Sequence, residues 1–270
     1  MVSADDKLEV ALVQADLRWQ DAEANRRHLS ELMDCQPGCD LYVLPETFTT
    51  GFLGDAGLEA EGMDGASVAW MHDQARERGA AICGSLVIAD EMGVRRNRFV
   101  FISPDGKPRW YDKRHRFSFG GEDERYAAGK GPVVVEWRGW RIDLQVCYDL
   151  RFPVWCRNDR SFDIQLFVAN WPAPRVEAWQ ALLKARAIEN QAYVIGVNRS
   201  GVDGNDIVYP GCSSAWSMEG HRMVELGSAE GVARLRLDRQ PLNEFRSRFP
   251  FLGDADRFIL DADRFVDDAD

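Results

Sequence analysis

Short apolar runs, several of them alternating with polar positions, recur along the chain and predict β-strands. Between some of these runs, residues 21–33, 67–78 and 175–191 carry apolar positions three or four apart, which is typical of amphipathic helices. Residues 81–89 and 97–103 flank an Asp-Glu-Met-Gly turn, which indicates a hairpin. Because strands outnumber helices and hairpins mix with crossovers, the pattern predicts a layered α/β protein rather than a plain doubly wound sheet. The predicted strands are 8–15, 41–44, 81–89, 97–103, 133–137, 141–147, 164–169 and 193–198, with a late pair at 213–218 and 232–237.

The domain organisation is inferred from the absence of a linker or a shift in composition between residues 7 and 240, which predicts a single domain. Residues 241–270 form an acidic C-terminal tail, in which Asp-Ala-Asp-Arg-Phe at 254–258 recurs at 261–265. Two interpretations of this tail stay open. It is either an amphipathic segment that packs on the body or on a second subunit, or a mostly solvated acidic extension.

Charge and composition narrow the class of partner. The net charge of −11 argues against a nucleic-acid-binding surface, and no apolar stretch reaches the roughly 18 to 20 residues that span a bilayer. The acidic N-terminus runs directly into the first predicted strand without the pattern of a secretory signal, so we expect a cytoplasmic protein. We therefore predict that the partner is a small molecule, with no nucleic acid and no membrane.

The six cysteines are expected to be free thiols, since a chain of 270 residues without a signal peptide has little need of disulfides. Cys35 and Cys39 have the spacing of half a zinc site, but no second pair is present downstream and the four histidines are scattered. We predict neither a metal nor a cofactor.

One cysteine occupies a position suited to a nucleophile. Ile142, Leu144 and Val146 alternate as in a half-buried strand, and Cys147 comes directly after them. Because Pro153 cannot donate to a strand ladder, the chain turns soon after Cys147 and leaves the sulfur at the end of a sheet. Position alone does not distinguish a nucleophile from a packed thiol, since free cysteines are commonly buried.

Two charged residues upstream are candidate partners of this cysteine. Glu46 comes after an apolar strand at 41–44, and Lys113 comes after a Trp-Tyr pair at 110–111. Because strand ends on the same edge of a sheet converge, we expect Glu46 to meet Cys147 there, with Lys113 reaching in from a loop. Taken singly, each of the two charges fits an ordinary solvated surface position better than a catalytic one, Lys113 even more so than Glu46.

The order and local context of Glu46, Lys113 and Cys147 resemble a known signature. Leu-Pro-Glu at 44–46, Tyr-Asp-Lys-Arg-His at 111–115 and Val-Cys-Tyr-Asp-Leu-Arg-Phe-Pro at 146–153 resemble the Glu-Lys-Cys segments of the nitrilase superfamily. The resemblance extends over roughly residues 7–240 and includes the segments at 168–172 and 186–193. The stretch 121–129 is similar to the segment that carries a second glutamate seven residues before a glycine, which selects Glu122 rather than Glu124.

The resemblance implies a four-layer αββα sandwich and hydrolysis of a carbon–nitrogen bond through a thioester. In that chemistry Glu46 is the general base for Cys147. Lys113 and the backbone N–H of Tyr148 stabilise the oxyanion, and Glu122 holds Lys113. A neighbouring cation also lowers the pKa of a thiol, so Lys113 is expected to enrich the thiolate.

Within the superfamily, the chain is similar to the bacterial omega-amidase branch, in the segments Leu-Pro-Glu-Thr-Phe-Thr-Thr-Gly-Phe, Cys-Tyr-Asp-Leu-Arg-Phe-Pro-Val-Trp and Ala-Asn-Trp-Pro-Ala-Pro-Arg. That branch implies hydrolysis of the terminal amide of 2-oxoglutaramate or 2-oxosuccinamate, and a homodimer. Such substrates carry a carboxylate, for which Arg151, Arg116 and Arg114 are candidates. Phe117 and Trp171 are expected to wall the pocket. Further aromatic candidates are Phe48, Phe52 and Phe119.

One segment departs from the related pattern, because Cys212 stands between Gly211 and Ser213 where an aspartate is usual. The departure bears on substrate preference rather than on the triad. Three alternatives stay open: another amidase of the superfamily acting on N-carbamoyl amino acids or aliphatic amides, a Cys-His hydrolase using His115 or His221, and a non-enzymatic binding protein on the same scaffold. The presence of all four charged and thiol groups of the signature counts against the last.

Overall fold

The structure is a computed structural model that describes residues 6–52 and 60–260. Over these residues it contains four α-helices: α1 (Ala22–Asp34), α2 (Ala66–Arg78), α3 (Val176–Asn190) and α4 (Arg239–Arg248). The strands over the same residues are β1 (Lys7–Gln14), β2 (Leu41–Val43), β3 (Ala81–Ala89), β4 (Arg95–Ile102), β5 (Arg109–Asp112), β6 (Val134–Trp137), β7 (Trp140–Val146), β8 (Ile164–Ala169), β9 (Tyr193–Asn198), β10 (Ser200–Val202), β11 (Val208–Pro210), β12 (Ser214–Trp216), β13 (Arg222–Glu225) and β14 (Gly231–Asp238).

Two six-stranded sheets form the centre of the molecule. Their strand orders are β14-β1-β2-β3-β4-β5 and β13-β12-β9-β8-β7-β6, and each sheet mixes parallel and antiparallel neighbours. Leu12 and Val43 of the first sheet belong to the same buried cluster as Leu144 and Val168 of the second, so the sheets pack face to face. Burial of this apolar surface is the main force that holds the two sheets together.

Helices cover the outer faces of both sheets. Leu29 of α1 and Met71 of α2 pack with Tyr42 and other residues on the outer face of the first sheet. Trp179 and Leu183 of α3 lie against Gly196 of β9, where a Cβ atom would fall 2.7 Å from Trp179 and 2.5 Å from Leu183. The predicted αββα sandwich is therefore confirmed. None of the helices in the described part of the chain is long and apolar enough to cross a membrane.

The two late strands predicted at 213–218 and 232–237 are present as β12 and β14, and they belong to different sheets. Strand β12 lies in the second sheet between β9 and β13, whereas β14 pairs with β1 in the first sheet over the full length of both strands. Pairing depends on where the chain crosses between sheets, which the local apolar pattern does not encode.

The C-terminal tail predicted at 241–270 contains most of helix α4. The Asp238 side chain accepts a hydrogen bond from the backbone of Gln240, and Pro241 stands in the first turn, where its missing N–H costs nothing. Leu242 is buried in the main core. The second copy of the repeat, at 261–265, lies outside the described residues.

Candidate active site

Three segments that carry candidate catalytic residues converge between the two sheets. Glu46 lies three residues beyond β2, Lys113 comes directly after β5, and Cys147 directly after β7. Strands β2 and β5 belong to the first sheet and β7 to the second, so the expectation that Glu46 and Cys147 share one sheet edge is wrong. They approach each other because the two sheets stack face to face with their strand ends at the same side.

Glu46, Lys113 and Glu122 form a buried charge cluster. The Lys113 Nζ atom lies 2.9 Å from Glu46 Oε1 and 2.9 and 2.7 Å from the two carboxylate oxygens of Glu122. The three side chains are at most 1 % exposed. The amide of Asn97 donates to Glu46 Oε1 at 2.7 Å and to Glu122 Oε1 at 3.2 Å, so it ties the two carboxylates together. One lysine is thus held between two carboxylates with solvent excluded.

Burial and charge act against each other in this cluster. Burial alone would lower the pKa of Lys113, but the charges of Glu122 and Glu46 outweigh it and hold that pKa well above its usual range. Burial raises the pKa of Glu122, and the charge of Lys113 offsets this only in part. Lys113 is therefore a fixed cation at neutral pH, as an oxyanion-stabilising group needs to be.

Further hydrogen bonds orient the two carboxylates. The backbone N–H of Asn170 donates to Glu46 Oε2 at 2.7 Å, and the Asn170 amide donates to the Glu46 carbonyl at 3.0 Å. The backbone N–H of Phe117 donates to Glu122 Oε2 at 2.6 Å. Both acids are therefore held in one orientation before a ligand arrives, which lowers the cost of reorganisation during a reaction.

Cys147 stands on a tight turn. Its φ is +43°, in the left-handed region that β-carbon sterics disfavour, and it begins a 3-10 helix at Cys147–Arg151. Tyr148 is the second residue of that helix, so its backbone N–H has no acceptor within the helix. This places an N–H donor beside the sulfur.

The pKa of the Cys147 thiol is raised well above its usual range. Burial is the largest cause and the charge of Glu46 the next, and together they outweigh the opposing charge of Lys113. The sequence-based expectation that Lys113 enriches the thiolate is therefore wrong in its net effect. A protonated thiol beside the Glu46 carboxylate is arranged to lose its proton to that group as it attacks.

The sulfur faces a cavity of about 790 Å³. Phe117 and Trp171, both predicted as pocket walls, line it, as do Phe52 and Phe119. Phe48 instead lies in the core between the first sheet and its helices.

Two arginines line the same cavity, and only one of them was predicted. The guanidinium of Arg151 stacks 4.9 Å above the Trp171 ring, and that of Arg175 stacks 5.2 Å above the Phe117 ring. Within residues 6–52 and 60–260, neither guanidinium forms an ion pair with a carboxylate. Stacking holds a guanidinium in place while its N–H donors stay available to an anion.

The other two candidate arginines are held by backbone carbonyls. Arg116 Nη1 donates to the Tyr126 carbonyl at 3.1 Å, and Arg114 Nη1 donates to the Gly129 carbonyl at 2.9 Å. Neither is among the described residues that line the cavity, so the prediction that Arg116 contacts substrate finds no support in the geometry.

The two histidines considered as partners of Cys147 are engaged elsewhere. His115 Nδ1 lies 2.8 Å from Asp149 Oδ1, and the His115 ring stacks on Phe152. His221 is exposed on the turn between β12 and β13. Glu46 is the group beside the thiol, which disfavours a Cys-His pair.

Comparison with known proteins identifies the scaffold. The family described as carbon-nitrogen hydrolase matches residues 9–247. The chain belongs to this family.

Relatives of this carbon-nitrogen hydrolase match over nearly its whole length. It is 46% identical to "Omega-amidase YafV" of Escherichia coli (strain K12), over 94% of this chain and 98% of that protein. It is 34% identical to "2-oxoglutaramate amidase" of Paenarthrobacter nicotinovorans, over 92% of this chain and 89% of that protein. Among solved structures, XC1258 from Xanthomonas campestris, a CN-hydrolase superfamily protein, superposes with a TM-score of 0.91 at 48% identity, covering 94% of this chain and 99% of that one.

The unusual Cys212 of this carbon-nitrogen hydrolase is half-buried and does not line the cavity. Its Sγ lies 3.4 Å from the Pro210 carbonyl, and its own carbonyl accepts hydrogen bonds from the side chains of Trp179 and Gln180. The backbone of Cys212 therefore anchors α3, while its side chain stays local.

Proposed function

We propose that the protein is an omega-amidase, which hydrolyses the terminal amide of 2-oxoglutaramate or 2-oxosuccinamate to the 2-oxo dicarboxylate and ammonia. The observation that carries the proposal is the presence in the cavity of Cys147 of two guanidinium groups, those of Arg151 and Arg175, that pair with no carboxylate of the described residues. In a protein with a net charge of −11, two such cations in a concave site favour an anionic ligand. The relatives named omega-amidase and 2-oxoglutaramate amidase support the same substrate class.

The first half of the proposed reaction forms a thioester. The thiol proton of Cys147 passes to Glu46 while the sulfur attacks the amide carbon. The oxygen that becomes negative is stabilised by Lys113 Nζ and by the N–H of Tyr148. Glu46 then returns the proton to the leaving nitrogen, the carbon–nitrogen bond breaks, and ammonia departs.

The second half hydrolyses the thioester. Glu46 takes a proton from a water molecule, whose oxygen attacks the thioester carbon through a second oxyanion at the same donors. The carbon–sulfur bond breaks, the acid product leaves, and the proton on Glu46 restores the Cys147 thiol. Glu122 holds Lys113 in place throughout, because both of its oxygens contact Nζ.

Substitution of the cavity arginines tests the substrate class. We expect Arg151→Gln and Arg175→Gln each to raise KM for 2-oxoglutaramate by about 10-fold or more, since a charge-assisted hydrogen bond contributes roughly 1.5–3 kcal/mol. Hydrolysis of a neutral aliphatic amide should change by less than about 2-fold in the same variants, because it has no carboxylate to lose. The rate of ammonia release under initial-rate conditions measures the hydrolysis of 2-oxoglutaramate and of the neutral amide.

Arg116→Gln is the matched control, because it removes an arginine that lies outside the cavity lining. It should leave KM for 2-oxoglutaramate unchanged. If the unaltered protein released no ammonia from 2-oxoglutaramate but hydrolysed simple amides or carbamoyl amino acids, it would be another amidase of the family.

We also propose a homodimer, as the resemblance implies. Ile188 on α3 is an exposed apolar residue, 47% accessible, and it supports an interface along this helix. Sedimentation velocity at micromolar concentration should give a dimer, and Ile188→Glu should shift it towards monomer. A monomeric wild-type protein would overturn the proposal.

Residence in the cytoplasm stays a prediction. All six cysteines are free thiols, which is the state a reducing compartment maintains.

A further inference from the structure

Asp149, two residues beyond Cys147, is fully buried, and each of its carboxylate oxygens contacts two hydrogen-bonding groups. Its Oδ2 atom accepts from the Tyr111 hydroxyl at 2.9 Å and from the backbone N–H of Val146 at 3.0 Å. Its Oδ1 atom contacts the backbone N–H of His115 at 2.9 Å and the ring Nδ1 of His115 at 2.8 Å. These partners are separate from the charge cluster around Lys113.

The donors come from segments that belong to both sheets. Tyr111, within β5 of the first sheet, and His115, beyond the end of that strand, flank Lys113 two residues before and two residues after it. Val146 is the last residue of β7 in the second sheet and directly precedes Cys147. A single carboxylate therefore joins the segment that carries Lys113 to the segment that carries Cys147.

The contact with Val146 also bears on the backbone of Cys147. A residue other than glycine at a positive φ is strained, and it persists only when its surroundings hold it there. The Asp149 side chain accepts the N–H of Val146, three residues earlier, and so closes the turn around Cys147 from within.

We propose that Asp149 is a positioning residue, which fixes the sulfur of Cys147 relative to the Lys113 ammonium by bonding Val146 on one side and Tyr111 and His115 on the other. The proposal rests on Cys147 as the nucleophile, and it holds whichever amide is the substrate.

Both oxygens of Asp149 act as acceptors, because each accepts a backbone N–H, Oδ1 from His115 and Oδ2 from Val146. In Asp149→Asn one oxygen becomes an NH₂ group, which then faces a backbone N–H that it cannot accept. We expect kcat to fall by one to two orders of magnitude, since displacement of a reacting group by about 1 Å costs on the order of 100-fold. KM should stay within about 2-fold, because the cavity arginines are untouched.

Asp163 provides a matched control. It is also a buried carboxylate, and it accepts from the backbone of Arg141 and from the guanidinium groups of Arg239 and Arg246. It precedes β8, at the end of that strand opposite Asn170. Asp163→Asn should lower Tm at least as much as Asp149→Asn, yet leave kcat unchanged in the folded protein.

The role of Asp149 can be tested independently of the proposed substrate by alkylating Cys147 with iodoacetamide. Mass spectrometry of the peptide that contains Cys147 follows the reaction. The reagent is neutral and needs no amide turnover, so it reports on the thiol even if 2-oxoglutaramate is not the substrate. The rate constant at Cys147 should fall about 10-fold in Asp149→Asn and stay within about 2-fold of wild type in Asp163→Asn.

Two milder variants keep the test open if Asp149→Asn does not fold. Tyr111→Phe and His115→Ala each remove one side-chain contact, and each should lower kcat by about 3- to 10-fold without a change in KM. The proposal is overturned if these variants, or Asp149→Asn itself, keep both kcat and the alkylation rate at wild-type values. Equal losses of kcat in Asp149→Asn and Asp163→Asn would overturn it as well.

Discussion

Cys147→Ala is expected to abolish amide hydrolysis, with kcat lowered by at least about 10⁴-fold, because the acyl intermediate of the proposed mechanism forms on this sulfur. The fold should survive, since the change removes one sulfur atom that faces the cavity. Ammonia release measures the loss, and thermal unfolding checks the fold. Incubation of the unaltered protein with substrate and acid quenching should trap an acyl adduct on Cys147, which the variant lacks.

Two other cysteines serve as controls for this variant. Cys35 is exposed and remote from the cavity, so Cys35→Ala should retain full turnover. Cys156 is buried, with its Sγ 3.1 Å from the Asp149 carbonyl, so Cys156→Ala should retain turnover at a lower Tm. If Cys147→Ala released ammonia at the wild-type rate, the thioester mechanism would be wrong. If no amide were hydrolysed and no adduct formed on the unaltered protein, the non-enzymatic alternative would hold.

The elements predicted best from the sequence are strands formed by a continuous run of apolar residues. Strands β3, β8 and β9 lie at the predicted residues, because each is an apolar run bounded by turn residues. Strand β5 was missed because its four residues, Arg109–Asp112, include two charges and fit a surface loop equally well. Helix α4 was missed although Asp238 and Pro241 are ordinary start signals, since polar and charged residues dominate the helix itself.

Glu46 and Cys147 were predictable as site candidates because each follows an apolar strand in a recognisable context, and Lys113 because its neighbouring residues match the same signature. Asn97 was not, because it lies within β4 and its link between two carboxylates depends on the register of that strand with β5. Arg175 is the last residue of the segment Ala-Asn-Trp-Pro-Ala-Pro-Arg, but it was not predicted to bind substrate. Its position in the cavity, stacked on Phe117, depends on the three-dimensional fold.

The direction of the pKa shift at the Cys147 thiol could not be predicted from the sequence either. A neighbouring lysine predicts a lowered thiol pKa, but the sign depends on burial and on the charge of Glu46, and neither is visible in the residue order. The same burial explains why Lys113 needs two carboxylates: a lysine removed from water is stable as a cation only when it is paired.

Glu46→Gln is expected to lower kcat by about 10³-fold, because the amide cannot take the proton of the Cys147 thiol. The shape of the side chain is kept, and Lys113 retains Glu122 as its second partner. KM should change little, because the cavity arginines do not contact Glu46. Steady-state ammonia release gives kcat and KM, and the rate of Cys147 alkylation by iodoacetamide gives the loss of activation at the thiol itself.

Histidine variants distinguish Glu46 as the general base from a Cys-His pair. His221→Ala should retain wild-type turnover, since His221 is exposed outside the cavity. His115→Ala should lose no more than about 10-fold, because His115 acts through Asp149, whereas loss of a general base costs up to about 10⁴-fold. Near-complete loss of turnover in either histidine variant, together with an active Glu46→Gln, would assign the proton transfer to histidine. The charge of Glu46 beside the thiol, and the backbone N–H of Asn170 that holds the Glu46 carboxylate in place, favour the opposite result.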